Sequence, residues 1–529
     1  MSRTTMHARL SEDAAWSRID KGGILPRLRA ASLGLLATFA LGGCITPPVG
    51  PDYKRPVAPL PAMWRIDPAE AADVTNTAWW KEFGDEDLNS LISEALVANS
   101  DLLIAAARIE QFDGKLEVSN AHKYPQFGLE AGFLRNYRSL EVPEELRPGQ
   151  PATYNVMKIG PTINFEFDLW GKVRRANEAA RAELLSTKEA RHTVMLTVVT
   201  TVASNYIQLL EMDRELALAQ QTLDSLNKAL DLTDQKYRGG SATLLSVGKV
   251  RAEVEDQTAA IPQLERSIAS LENGLSTLVG RNPGPIKRGR LDKLVLTSVP
   301  QGVPSDVLIR RPDVLVAEQN LVAANARIGV AKSEYFPTIP LTGMYGVSSD
   351  LTRWLLARDA GSGFYDIEII GPLLSFGRVQ GEVRKARAEA KENVERYLQT
   401  VRVALQEVND ALVTDVDSKT RLAALNRRVA ALREVDQLTQ MRFEGGESTL
   451  LDVLDSDRQV YAAQSQETQG IGDEYIALIS VYKAMGGGWM VEQDDLERQR
   501  IAKTVASVTP VSAPTNVQGL TTTQEETSK

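Results

Sequence analysis

The chain has 529 residues, of which 6% are aromatic, three are histidine and one is cysteine. A single cysteine excludes an internal disulfide framework or a thiolate metal cluster, and His7, His122 and His192 are too scattered to suggest a metal site or a His-based acid–base pair, so no cofactor is expected. Sixty basic against 69 acidic residues give a net charge of −9, which argues against a nucleic-acid partner.

Lys21, Arg27 and Arg29 precede a charge-free stretch over 30–43 that ends directly at Cys44. The stretch is too short to span a bilayer as a helix, and basic residues ahead of a short apolar core are the pattern of an export signal. Residues 1–43 are therefore expected to be a signal peptide. Leu41-Gly-Gly-Cys44 is similar to a bacterial lipobox, where small residues admit a peptidase and the cysteine becomes the lipid-bearing first residue. Cys44 is the expected lipidation site, and residues 44–85 a lipidated N-terminal segment. Ile45 stands where an aspartate would signal retention at the inner membrane, so an outer membrane is favoured.

The chain then repeats itself. Tyr237-Arg-Gly-Gly-Ser-Ala-Thr-Leu-Leu-Ser-Val247 returns as Phe443-Glu-Gly-Gly-Glu-Ser-Thr-Leu-Leu-Asp-Val453, and Trp170-Gly-Lys-Val173 as Phe376-Gly-Arg-Val379, both 206 positions later. Asp101-Leu-Leu-Ile104 returns as Asp313-Val-Leu-Val316, and Tyr124-Pro125 as Phe336-Pro337, both 212 positions later. Two copies of one unit are expected, over 86–282 and 306–488, with a linker over 283–305 and a polar, largely disordered tail over 489–529.

In each unit, strand-like segments precede a long helix and a return helix. In Ile159–Leu169 the odd positions 159, 163, 165, 167 and 169 are apolar and the even positions 162, 164, 166 and 168 polar or acidic; Phe127, Leu129, Ala131 and Phe133 alternate likewise. Of 31 aromatic residues, 15 fall within 124–170 or 335–376, the strand regions of the two units. Aromatic, alternating strands in an exported chain point to a membrane β-barrel rather than a soluble hairpin. Residues 172–238 contain no Gly or Pro, and 378–444 contain only Gly381, so two helices about 100 Å long are expected. Residues 193–210 are uncharged but rich in Thr, Ser, Asn and Gln, which argues against a membrane helix there. Gly239-Gly240 and Gly445-Gly446 provide reversals into return helices over 243–280 and 449–486, the first made less regular by Pro262 and Gly274. Four strands cannot close a barrel or leave edges in lipid, so the chain must oligomerise; two copies give eight strands, three give twelve and leave room for a pore.

Val49-Gly-Pro-Asp-Tyr-Lys-Arg-Pro56, Val303-Pro-Ser-Asp-Val-Leu-Ile-Arg-Arg-Pro-Asp-Val314 and Ala326-Arg-Ile-Gly-Val-Ala-Lys-Ser-Glu-Tyr-Phe-Pro337 resemble the outer-membrane efflux factors, TolC-like channels, in their NodT-type lipoprotein branch. The resemblance runs from about Cys44 to Gly488. It implies a homotrimer with a twelve-stranded outer-membrane β-barrel, four strands per chain, continuous with a long periplasmic α-helical barrel. It also implies an exit duct of a tripartite pump, with a periplasmic adaptor and an inner-membrane transporter as partners, and no enzymatic activity.

In that family acidic residues line a constriction at the periplasmic end. The matching stretch is Glu447-Ser-Thr-Leu-Leu-Asp-Val-Leu-Asp455, which makes Asp452 and Asp455 the candidate gate. Spacing alone reads them as two solvated charges one turn apart; the resemblance turns them into a ring of six carboxylates in a trimer. The first unit carries Ser246 and Lys249 at these places. Related members latch the closed state with a tyrosine and an arginine where this chain has Phe443 and Ser448, so Arg442 and Arg458 become candidates for the missing cation. Two other classes remain to be separated: a periplasmic lipoprotein adaptor, which ordinarily has one hairpin without aromatic strands, and a structural coiled-coil protein. An enzyme lacks support, with no His-Glu-x-x-His motif and no phosphate-binding loop.

Overall fold

The computed structural model describes residues 47–58, 61, 64, 78–137, 153–296 and 310–487. Cys44, the leader and the tail lie outside them. In order the chain forms α1 (Glu86–Ala98), α2 (Ser100–Ala121), β1 (Gln126–Tyr137), β2 (Thr153–Glu166), α3 (Lys172–Arg238), α4 (Leu244–Leu278), α5 (Pro312–Ser333), β3 (Pro340–Ser349), β4 (Gly361–Ile367), α6 (Arg378–Glu444) and α7 (Leu450–Ala484). The helices α3 and α6 each have 67 residues, α4 and α7 each 35, and α2 and α5 each 22. At 1.5 Å per residue the longest span about 100 Å. The first return helix departs from expectation in one respect, because α4 runs through Pro262 without a break. Proline removes one backbone donor, and burial of Val250, Val254 and Ile268 on either side holds the helix through that loss.

The four strands form one antiparallel sheet in the order β1-β2-β3-β4. Its register places Ala131 opposite Ile159, Ile163 opposite Gly343 and Gly343 opposite Tyr365, so parity is kept across all three pairings. One face therefore carries Phe127, Leu129, Phe133, Tyr345 and Tyr365, all strongly exposed. The other carries Glu130 and Lys158, paired at 2.5 Å, with Thr162, Asn164 and Thr342, interrupted by Leu134, Met344 and Phe364. Such a sheet has an apolar side and a polar side, and its outer strands β1 and β4 each have one edge without a partner among the described residues.

The main core lies around the middle of the long helices. Val199, Val202, Ala203, Tyr206 and Ile207 of α3 are buried with Trp79, Phe83, Leu88 and Ile92, which accounts for the uncharged run over 193–210 as a packed helix face. Trp79 stacks on Tyr482 of α7 at 4.9 Å between ring centroids, and Phe83 meets Tyr475 edge-on at 5.7 Å. The Tyr206 hydroxyl donates to Asp85 Oδ2 at 2.9 Å and accepts from the Gly289 N–H at 2.9 Å, while Asp85 Oδ1 caps α1 through the Leu88 N–H. This knot ties α3 to the segments that precede and follow the first hairpin.

Residues 47–58 run along the outside of α5 as a strap. The Val49 N–H donates to the Trp170 carbonyl at 3.0 Å, Asn325 Nδ2 to the Pro51 carbonyl at 2.9 Å, and Arg55 grips the buried Glu318 with two bonds of 2.6 and 2.7 Å. Tyr53 donates to the same carboxylate at 3.0 Å; burial and that carboxylate push its phenol above the ordinary value. The strap starts at the sheet end of α3, where a side chain on Gly171, at φ 79°, would strike Pro48.

Two substitutions test this arrangement. Trp79→Ala should destabilise the middle of the molecule by about 3–5 kcal/mol, read as a loss of thermal stability in detergent. Glu318→Ala should leave that core intact but raise amide exchange and proteolysis within residues 47–58, since Arg55 and Tyr53 lose their common acceptor.

Candidate functional site

The end of the molecule farthest from the sheet is formed by the α3–α4 and α6–α7 turns. At the second turn, the Gly446 N–H donates to the Phe443 carbonyl at 3.1 Å and the Glu447 N–H to the Arg442 carbonyl at 2.8 Å, with Gly446 at φ 78°. This left-handed closure is the conformation glycine adopts without a Cβ clash. The next helix, α7, then starts at a Thr449 cap.

Asp452 completes that cap. The Thr449 N–H and hydroxyl donate to Asp452 Oδ2 at 2.8 and 2.7 Å, while the Asp452 N–H donates back to Thr449 Oγ1 at 3.3 Å. The reciprocal pair satisfies two donors that a helix start otherwise leaves open. Hydrogen bonds from the Thr449 side chain and then its backbone hold the Asp452 carboxyl below the usual aspartate range. Asp455, one turn on, accepts from Arg458 at 2.8 Å and from Gln459 at 2.7 Å. The two sequence-selected carboxylates thus share a helix but have separate partners. In the first hairpin, Thr243 makes the equivalent cap to the Ser246 N–H at 3.1 Å without a charge, and Lys249 is exposed.

The candidate replacement cations bind within their own hairpin, Arg442 to Glu447 at 3.7 Å and Arg458 to Asp455. The contact between the two tips is a different one. Lys236 Nζ, at the end of α3, lies 4.9 Å from the ring centroid of Phe443, at the end of α6. A cation over an aromatic face is attracted by the ring quadrupole, so Phe443 keeps an electrostatic role without a phenol. Ser448 donates to the Thr439 carbonyl at 3.2 Å.

The family model described as outer membrane efflux protein matches residues 91–281 and 303–487. The chain belongs to the outer membrane efflux protein family. Cation efflux system protein CusC of Escherichia coli O6:H1 is 30% identical over 471 residues, covering 86% of this chain and 98% of that protein. Toluene efflux pump outer membrane protein TtgC of Pseudomonas putida is 30% identical over 480 residues, covering 89% and 98%. A crystal structure of a membrane protein from Pseudomonas aeruginosa superposes with a TM-score of 0.77 at 28% identity, covering 83% of this chain and all of that one. As an outer membrane efflux protein the chain serves transport and is not an enzyme.

Sequence reasoning about this efflux-family chain missed two carboxyl clusters behind the tip. Asp457 on α7 is hydrogen-bonded to Asp436 on α6, and Ser456 donates to Asp436 at 2.7 Å. Burial, then the Asp436 charge and hydrogen bond, push Asp457 up to about 6; Gln440 acts in the opposite direction. Asp457 also faces a cavity of about 430 Å³ between the two hairpins, whose charged lining is Glu253 and Asp256 of α4 and Arg458 of α7. Farther from the tip, burial and then Glu215 and Asp473 push Glu211 of α3 up to about 7 against α7. A signal for the first cluster was available, because Asp436 and Asp457 stand equally far from the Gly446–Glu447 turn and so meet across an antiparallel hairpin.

A raised aspartate favours the folded contact while it holds its proton. The Asp436–Asp457 contribution is fully present below the ordinary aspartate value and is lost as pH rises through about 6. Amide exchange in the α6–α7 hairpin, corrected for intrinsic rates, should therefore increase between pH 4 and 7. Asp457→Asn should flatten that step, and an unchanged profile in the variant would remove the pair as its source.

Proposed function

We propose that three copies of this chain form the exit duct of a tripartite efflux pump, with a twelve-stranded barrel in the outer membrane and a helical barrel across the periplasm. Each chain contributes two copies of one structural unit. An inner-membrane transporter and a periplasmic adaptor are its partners, and the cargo passes from them into the lumen. The carrying observation is the four-stranded sheet: it has an apolar face, a polar face and two open edges, and it leads directly into 67-residue helices. Three such sheets joined edge to edge give twelve strands with lipid outside and polar side chains inside.

The position of the strap supports lipidation at Cys44. Pro48, four positions after Cys44 in the sequence, packs beside Gly171 at the junction of sheet and helices. Relatives that match equally well are named for cargoes as unlike as a cation and toluene. That supports a permissive duct whose selection lies in the partner pump.

Asp452 and Asp455 have two roles in this reading. Each is locally engaged, and around a threefold axis they form rings of carboxylates at the narrow end that attract cations. The first unit has no equivalent charge, which fits an inner hairpin that carries the gate and an outer one that does not.

In planar bilayers the purified protein should conduct, and native mass measurement should give a trimer; a non-conducting monomer would sink the channel and leave an adaptor or coiled-coil protein. Asp452→Ala with Asp455→Ala should lower cation selectivity, and unchanged selectivity would take both residues out of the gate. Phe443→Ala, which removes the ring under Lys236, should raise the open fraction of the channel, measured in the same bilayers.

A further inference from the structure

Among the described residues the helical layer of one chain has two open sides. α2 packs on α3, α3 on α5 and α5 on α6, which leaves α2 and α6 at the ends of the row. Leu103, Ile104 and Val118 of α2 are exposed there. The bounds of α2 and α5 differ by 212 positions and those of α3 and α6 by 206, with equal lengths in each pair. Every residue of α2 therefore has an image in α5, and every residue of α6 an image in α3. The contact between α3 and α5 inside the chain is then a template for α6 of one chain meeting α2 of another.

Two polar pairs cross the internal contact. Arg327 of α5 forms an ion pair with Glu183 of α3, and Ser186 of α3 donates to Asn320 Oδ1 of α5 at 2.9 Å. Their images are Lys115 with Glu389 and Arg108 with Glu392. Both images join a cation to a carboxylate. Between them, the packing of Ala182 with Ala326 maps onto Ala388 and Gly114, and none of the described residues lies within 4 Å of a Cβ built on Gly114. Within the chain Lys115 lies over the Phe112 ring, and Glu392 is held by Arg396 of its own helix at 2.7 Å. No carboxylate pairs with Lys115 or Arg108, and no cation with Glu389, among the described residues.

We propose that α2 of one protomer docks on α6 of the next through Lys115–Glu389 and Arg108–Glu392, and that these pairs set the height at which neighbouring subunits meet. The inference rests on the homotrimer reading above. Its chemistry also excludes slippage. A shift of one turn, about 5.4 Å, brings Lys115 against Lys385 in one direction and Arg108 against Arg396 in the other. Each wrong register thus meets a like charge, while the right one meets opposite charges twice in every interface.

The test uses full-length protein in detergent. Lys115→Glu and Glu389→Lys should each lower the temperature of the trimer-to-monomer transition by a few degrees, and the double reversal should restore it. Lys115→Cys with Glu389→Cys should give chain-to-chain cross-links on oxidation, whereas Lys115→Cys with Asn393→Cys should give markedly fewer. A trimer whose stability ignores both single reversals and whose 115–389 cysteines do not cross-link overturns this docking and leaves the trimer standing. A monomeric wild-type protein removes both.

Discussion

Hydrocarbon leaves a backbone N–H or carbonyl nothing to bond to, so a sheet whose apolar face meets lipid must close. Here one chain contributes four strands with consistent parity, Phe127, Leu129, Tyr345 and Tyr365 on one side and the Glu130–Lys158 pair on the other. Its open edges on β1 and β4 correspond in the helical layer to the open faces of α2 and α6. The same incompleteness appears at both levels, in the sheet and in the helices that follow it.

Long helices alone give no fixed shape, since many neighbours of similar length would satisfy their stripes. The middle of the molecule supplies the definition. Trp79 on Tyr482, Phe83 on Tyr475 and the Tyr206–Asp85–Gly289 network join the segment before α1, both hairpins and the segment after α4 at one level. Among the described residues the core at the tip is much smaller than the central one. The contacts there are a cation over Phe443, a capping aspartate, the Asp436–Asp457 pair and a small apolar cluster of Leu226, Val250, Val254 and Leu454 that joins the two hairpins.

Asp452 shows why a motif underdetermines a role. Its place in Ser448-Thr449-Leu450-Leu451-Asp452 already spells a helix cap, and the structure places its carboxylate on the Thr449 N–H and hydroxyl. A capping carboxylate still carries its full charge, held there more firmly by those two donors, so local engagement and a place on a charged ring are compatible. In the first hairpin Thr243 accepts from the Ser246 N–H in the corresponding cap, with no carboxylate at Ser246, which separates helix starting from whatever the charge adds.

The sequence by itself determined the elements: the two breaker-free stretches, the glycine turns, the alternation of Phe127 to Phe133, and the offsets of 206 and 212 that tie the halves together. These follow from local rules of period and backbone freedom, which need no knowledge of neighbours. Only the tertiary structure decided that the uncharged run over 193–210 packs against Trp79 and Phe83, that Arg442 and Arg458 turn back on their own hairpin, and that Lys236 reaches Phe443. It also placed Asp457 beside Asp436 and Glu211 against α7, where burial raises the Asp457 and Glu211 carboxyls. Such effects depend on distances between residues remote in sequence and on how much water is excluded around them. A linear pattern has no term for either.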